Sequence, residues 1–222
     1  KDINFSFKDK AKKIKFPKKI TKELAEETGI HLGDGCLSYN RNYFSVKCNK
    51  KEEEYVTKYL IPLYKKLYNL DLKLMQLESV SGFEIYSKAL CEFKNKVLGI
   101  KYGEKVEKIE VPKNVLDTKN KEIYKAFIRG LFDTDGCVYL NKRKYPRISI
   151  SIKSKKLMNQ IKEMLEKMGY LPYLYKWTLD LHGPTMLKKW IKEISSHNPK
   201  NIKKLKEAEA SSLARTEYNL AD

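Results

Sequence analysis

Apolar and polar residues alternate in two stretches of the chain, and each stretch continues into a helical pattern. One begins at Asn42 and reads NYFSVKCNKKEEEYV, and the other begins at Pro146 and reads PRISISIKSKKLMNQI. Alternation predicts a strand with one buried face, and apolar residues at helical spacing predict the helix that follows. Two shorter strand patterns, FEIYS and WTLDLHG, each precede a further helical pattern, KALCEFKNKVLGI and TMLKKWIKEISS. The same order of elements is therefore expected twice.

A predicted helix precedes each of these two series, and the two helices have matching residues at one fixed offset. They read TKELAEETGIHLGDG and NKEIYKAFIRGLFDTDG, and Asp34 and Asp135 lie 101 positions apart. The same offset superposes Gly29 on Gly130, Gly35 on Gly136, Cys36 on Cys137 and Asn40 on Asn141. Such self-similarity indicates a tandem duplication. We predict an α+β fold of two helix–strand–strand–helix–strand–strand–helix halves.

Small residues mark one face of each of these helices. Gly29 and Gly33 are four positions apart, and Gly130 and Thr134 occupy the matching positions in the second copy. Residues at that spacing share a helical face, and small side chains let two backbones approach closely. Thr21 and Asn120 are the predicted N-caps, and glycines end both helices. We expect the two helices to pack against each other through Gly29, Gly33, Gly130 and Thr134.

That packing would bring Asp34 and Asp135 together at the carboxyl ends of the helices. The helix dipole is negative there, and the two carboxylates repel each other. A divalent cation removes both conflicts, and carboxylate oxygens suit Mg²⁺. On a basic protein such a site indicates metal-assisted hydrolysis of a phosphodiester. The alternative is that each Asp-Gly pair only forms a turn after its helix; the duplication favours the metal site.

Charge and composition narrow the choice of partner. The 222 residues include 46 Lys and Arg against 28 Asp and Glu, a formal net charge of +18, and 41% are hydrophobic. That surplus favours a polyanion, above all nucleic acid. A Lys-rich surface adapted to heat is the alternative, but acidic residues would then rise in step.

Cysteine and histidine positions argue against a zinc site. The four cysteines form no CxxC pair, and none of His31, His182 and His197 pairs at metal-ligand spacing. No apolar run reaches the roughly 20 residues of a membrane span, and no secretory signal is visible. We expect a cytoplasmic, reducing location, with an organelle as the alternative, and no membrane partner.

The segment IRGLFDTDG (128–136) resembles the nine-residue motif of the LAGLIDADG homing endonucleases, and ETGIHLGDG (27–35) is a more divergent copy. SSHNPKNIKK (195–204) is similar to the end of the second repeat in archaeal and intein-borne members. The resemblance implies a pseudo-two-fold monomer whose motif helices form the interface. Each half would supply a four-stranded antiparallel sheet to a saddle over double-stranded DNA.

The resemblance also implies the reaction. Asp34 and Asp135 would bind catalytic Mg²⁺, with Gly33 and Thr134 beside the metals. Mn²⁺ is expected to substitute, and Ca²⁺ to support binding without cleavage. Asn49 and Lys153 match the polar and basic positions near the metals, although glutamine is commoner at the first. Both strands of a long asymmetric target would be cut, leaving short 3′ overhangs.

Five residues on or beside the strands are candidate DNA contacts: Arg41, Lys47, Arg143, Arg147 and Ser149. The two arginines of the second half are the better candidates for base edges, because a guanidinium binds guanine through two donors. Phosphate contact without sequence information is the alternative for each.

The predicted organisation is a basic N-terminal arm (1–20), a first repeat (21–100), a linker (101–119), a second repeat (120–204) and a C-terminal tail (205–222). The charged ends are expected to be solvated arms. Two other functions stay open: a maturase that binds intron RNA or a regulator of the same fold without cleavage, and a basic RNA-associated structural protein. The intact acid pair favours the endonuclease.

Overall fold

The first half folds as its pattern predicts. The computed structural model describes residues 2–103, 109–141 and 145–218. The elements of this half, in chain order, are α1 (Phe7–Ala11), α2 (Lys22–Asp34), β1 (Gly35–Ser38), β2 (Tyr43–Asn49), a 3-10 turn (Lys50–Glu52), α3 (Glu53–Tyr55), a π-helical turn (Val56–Leu60), α4 (Ile61–Tyr68), β3 (Met75–Gln76), β4 (Val80–Tyr86), α5 (Lys88–Glu92) and a second π-helical turn (Phe93–Val97).

The second half repeats this order, including a short helix before the motif helix, and adds a long helix at its end. Its elements are α6 (Lys113–Leu116), α7 (Lys121–Asp135), β5 (Gly136–Leu140), β6 (Pro146–Ser151), α8 (Lys155–Lys167), β7 (Tyr173–Tyr175), β8 (Thr178–His182), α9 (Pro184–Glu193) and α10 (Pro199–Tyr218). Thr21 caps α2 by accepting from Leu24 N, and Asn120 caps α7 by accepting from Glu122 N. Both predicted N-caps are confirmed. No helix in the described part of the chain is long and apolar enough to cross a membrane.

Each half contains one four-stranded antiparallel sheet, with strand orders β1-β2-β4-β3 and β5-β6-β8-β7. The registers are equivalent: Gly35 pairs with Val46, and Gly136 pairs with Ile150. One face of each sheet packs on a core, which includes Phe44 and Phe83 in the first half and Ile150 and Trp190 in the second. The other face stays open. The predicted α+β class and the duplicated topology are confirmed.

Helices α2 and α7 pack against each other with almost no space between their backbones. A Cβ on Gly29 would lie 2.2 Å from the carbonyl oxygen of Phe127, and one on Gly130 would lie 2.2 Å from that of Glu26. Real Cβ atoms do not approach a backbone oxygen so closely. Both positions therefore require glycine, and the structure places both residues in the helix contact that their spacing predicts.

The expectation that both charged ends are solvated arms is wrong for a few residues at each end, which are buried against the core. In the N-terminal arm Asp9 is buried, its carboxylate accepts hydrogen bonds from Ser87 Oγ (2.6 Å) and Ala89 N (3.2 Å), and Phe16 stacks on Phe93. At the other end, α10 continues through the predicted boundary after position 204. It buries Leu205 and Ala208 in the second core, because apolar residues recur among its lysines.

Candidate functional site

The two motif acids are the last residues of α2 and α7, and both are half-buried. The position of a Cβ on Gly33 is 2.4 Å from Asp135 Oδ2 and 2.0 Å from Thr134 Oγ1. The carboxylate of Asp135 therefore lies against the residue that precedes Asp34. The helix pair thus brings the two acids to the same end of the interface. Gly33 and Thr134 stand beside them, and only a residue without a side chain leaves room at position 33.

Different neighbours hold the two carboxylates. Asp34 forms a hydrogen bond with the thiol of Cys48. The pKa of that thiol is raised mainly by burial and, to a smaller extent, by the negative charge of Asp34. Asp135 Oδ2 accepts from Thr134 Oγ1 at 3.2 Å. Two carboxylates and a hydroxyl form a set of hard oxygen donors, next to the negative ends of two helix dipoles. The residues present therefore fit Mg²⁺ or Mn²⁺.

The sheet registers place Asn49 and Lys153 at equivalent positions, each three residues beyond the partner of the motif glycine. Both residues are exposed. Asn49 also has a local role, since its Oδ1 accepts from Lys51 N at 3.0 Å and caps the 3-10 turn. Because Oδ1 is engaged in this cap, the amide nitrogen of Asn49 is the group left to contact a substrate. Lys153 precedes Ser154, the N-cap of α8.

A lysine that the sequence analysis missed lies near the same end of the helix pair. Lys200, at the start of α10, has its Nζ 2.8 Å from Glu52 Oε1. Asn198 Nδ2 donates to the same oxygen (2.7 Å) and to the carbonyl oxygen of Asp133 (3.0 Å), two residues before Asp135. Lys200 thus lies between the 3-10 turn that follows β2 and the last turn of α7. Its charge acts on both Cys48 and Cys137. No local sequence signal distinguishes it from its neighbouring lysines.

Four of the five candidate DNA contacts lie in the described chain. Arg41 is exposed between β1 and β2, and Lys47 pairs with Glu84 at 3.0 Å. Arg147 NH1 donates to Tyr139 Oη (3.0 Å), and Ser149 is nearly buried on β6. Arg143 lies outside the described residues.

A second acidic group, formed by Glu26, Asp133 and His197, has its possible ligand atoms within 4.8 Å of one another. Protein partners already occupy these atoms. His197 Nδ1 lies 2.5 Å from Glu26 Oε1, and Arg129 NH2 donates to Glu26 Oε2 at 2.7 Å. Ser196 Oγ donates to Asp133 Oδ1, and His197 N donates to Asp133 Oδ2 at 2.9 Å. This group is a hydrogen-bonded clamp, because few lone pairs are left to bind a metal.

Opposite effects act on the two acids of the clamp. Burial raises the pKa of Asp133 to about 7, against the hydrogen bonds from Ser196 and His197. Burial also acts to raise the pKa of Glu26, but hydrogen bonds from His197 and Arg129 outweigh it and lower that pKa. Glu26 lies on α2 and Asp133 on α7, and His197 contacts both, so the segment 195–201 links the two halves. Sequence pattern had singled out this segment only as a family resemblance.

Residues 122–207 match the family described as LAGLIDADG-like domain. Two of the curated relatives that match at the level of sequence come from archaea. They are a subunit of the A-type ATP synthase of Pyrococcus abyssi, 32% identical over 133 residues, and the probable translation initiation factor IF-2 of Methanocaldococcus jannaschii, 29% identical over 144 residues. The match covers 60% and 62% of this chain, but only 12% and 11% of those proteins.

Solved structures of I-DmoI have the same fold. The complex of I-DmoI with DNA and Mn superposes with a TM-score of 0.55, and covers 78% of this chain and 96% of that one. The complex with DNA and Ca gives 0.57, with 84% and 97% covered. Sequence identity is 19% in both. The resemblance to the two-motif LAGLIDADG homing endonucleases is confirmed.

Proposed function

Because this chain contains a LAGLIDADG-like domain and has the two-motif fold of I-DmoI, we propose that it is a site-specific DNA endonuclease that uses Mg²⁺. One observation carries the proposal: the duplicated helices bring Asp34 and Asp135 to one end of their interface. Two carboxylates at the negative ends of two helix dipoles have no stabilising purpose. They do suit a cation that acts on a phosphodiester.

The residues at this centre divide the work. Asp34 and Asp135 would hold Mg²⁺, which supplies an activated water and stabilises the leaving oxygen. Lys200 and Lys153 would stabilise charge on the scissile phosphate, and the amide of Asn49 would orient the attacking water. Glu52 holds the Lys200 ammonium in place. Because the carboxylates come from different halves, cuts on both strands are expected. The resemblance to the LAGLIDADG homing endonucleases implies that these cuts leave short 3′ overhangs.

The open faces of the two sheets would bind the DNA. Formal charge of +18 favours the contact. Arg147 is supported on one side by Tyr139, and this leaves further guanidinium donors for a guanine edge. Arg41, Lys47, Arg143 and Ser149 are the other proposed contacts. A duplicated monomer suits a target whose two halves differ.

These two curated relatives suggest that segments like this chain are carried within host genes. A translation factor and a component of an ATP synthase have unrelated activities, yet a similar segment of each matches this chain. Their named activities do not transfer, because the match spans so little of either protein. We propose a homing element carried within host genes.

Cleavage selection tests the function directly. The protein is incubated with a randomised plasmid library and Mg²⁺, then with Ca²⁺, and the ends are sequenced. Discrete double-strand cuts with Mg²⁺ alone support the endonuclease. Site-specific binding without cuts under Mg²⁺, Mn²⁺ or Ca²⁺ would instead favour a maturase or regulator. An Asp34→Asn, Asp135→Asn double variant identifies cuts made by a contaminating nuclease.

A further inference from the structure

The open faces of the two sheets contain an acid at equivalent positions. Ser45 pairs with Cys36 on one side and Glu84 on the other, and Ser149 pairs in the same way with Cys137 and Asp180. Both serines precede the partner of the motif glycine by one residue, so the two Cys–Ser–acid rows match between halves. The duplication has kept a carboxylate where a DNA-binding surface would be expected to be basic.

Neighbouring strands hold both acids on the open face. Glu84 accepts from Tyr43 Oη at 2.8 Å and pairs with Lys47 at 3.0 Å. These two contacts lower the pKa of Glu84 and keep its carboxylate charged. In the second half Asp180 Oδ2 lies 3.5 Å from Arg147 NH1 and 3.9 Å from His182 Nε2.

Asp180 has hydrogen-bonding capacity left over. Only 8% of the residue is exposed, and its Oδ1 has no hydrogen-bond donor among the described residues. A nearly buried carboxylate oxygen without a donor costs free energy. Within the described chain the other oxygen, Oδ2, makes only the two longer contacts with Arg147 and His182, so it can still accept a hydrogen bond.

Few groups on DNA attract a carboxylate. Phosphates repel it, and in the major groove its donors are exocyclic amino groups, with cytosine N4 the usual partner of Asp and Glu. We propose that Glu84 and Asp180 each accept a hydrogen bond from a cytosine amino group and so read one base pair in each half of the target. The inference rests on the proposed function. Since the acids are related by the duplication, the two cytosines should stand at equal distances from the centre of the cut.

Base-preference profiling tests the inference. The wild-type protein, Glu84→Gln and Asp180→Asn are assayed for cleavage of a target panel with every single base-pair change. Each variant should lose roughly tenfold in cytosine preference at one position, and the two positions should lie on opposite sides of the cut. Asp71→Asn is the matched control, because Asp71 is an exposed acid that pairs with Lys65 and belongs to no strand. Its profile should equal that of the wild type.

The Arg147→Gln variant distinguishes two roles for Asp180: contact with a base, or positioning of the Arg147 guanidinium. If Asp180 reads cytosine, this variant keeps the cytosine preference that Asp180→Asn loses. Unchanged profiles for both acid variants, or identical changes in Asp180→Asn and Arg147→Gln, would overturn the inference. Should the wild-type protein bind a site without cutting, the same panel is scored by binding with Ca²⁺. Failure to bind any DNA overturns the inference together with the proposed function.

Discussion

Lys200 Nζ lies 2.8 Å from Glu52 Oε1, although the two residues belong to opposite halves of the duplication. Asn198 donates both to Glu52 and to the carbonyl oxygen of Asp133, so this contact places a partly exposed ammonium group near the last turn of α7. The position of the Lys200 ammonium group therefore depends on the packing of the two halves against each other.

Lys200→Met should lower the single-turnover cleavage rate by about 10- to 100-fold, or about 1.4–2.7 kcal/mol in activation free energy. The reason is loss of a positive charge at the scissile phosphate. Affinity measured with Ca²⁺ should change less than threefold. Lys203→Met is the control, since Lys203 is on the same helix but is highly exposed and pairs with Glu207 rather than Glu52. Equal rates for the two variants would remove Lys200 from the reaction.

Asp34→Asn and Asp135→Asn should each abolish double-strand cleavage. Either change removes a negative ligand, so affinity for DNA should stay the same or rise as repulsion of phosphate falls. Gel assays of supercoiled plasmid report nicking and linearisation separately, and fluorescence anisotropy reports binding. A variant that linearises plasmid at the wild-type rate would exclude that carboxylate from the metal centre.

Gly130→Ala should destabilise the protein by about 3 kcal/mol, because its methyl group would lie 2.2 Å from the carbonyl oxygen of Glu26. Urea unfolding measures the free energy of unfolding. Lys121→Ala, on the exposed first turn of the same helix, should stay within about 0.5 kcal/mol of the wild type. A Gly130→Ala protein as stable as the wild type would show that the helices can move apart.

Glu26→Gln should give a pH-dependent loss of stability. The folded-state pKa of Glu26 is lowered from 4.5, so its charged form stabilises the fold above about pH 4.5. That contribution disappears as the pH falls through the folded pKa. The variant should therefore be less stable than the wild type at pH 7, and the difference should shrink below pH 4.5. A constant difference from pH 7 to pH 3.5 would mean that the charge of Glu26 contributes nothing.

Much of the fold could be predicted because it depends on local signals that occur twice. The N-caps at Thr21 and Asn120, the alternation along β2 and β6, and the glycines of the helix contact all follow from short-range patterns. The few buried residues at the ends of the chain could not be predicted, since Asp9 looks like one more charge in a basic run. Its burial depends on donors at Ser87 and Ala89, which only the tertiary fold brings near.

The candidate site divides in the same way. The acid pair follows from the motif and its repetition. Asn49 and Lys153 were assigned by family resemblance, and only the sheet registers place them at equivalent positions. Lys200 and Asp180 were missed because their contacts cross between elements that are far apart in sequence. Lys200 has several lysines as sequence neighbours, so nothing distinguishes it from them. Asp180 fits the alternating pattern of its strand as an ordinary polar residue.

Contact between the backbones at Gly29 and Gly130 fixes the distance between the two halves of the protein. No side chain separates α2 from α7 at these points, so little there can compress or relax to change the spacing between the two sheets. One inserted base pair would move one half of a target by about 3.4 Å and turn it by about a tenth of a helical turn. The protein would thus measure the length between its half-sites as strictly as it reads their bases.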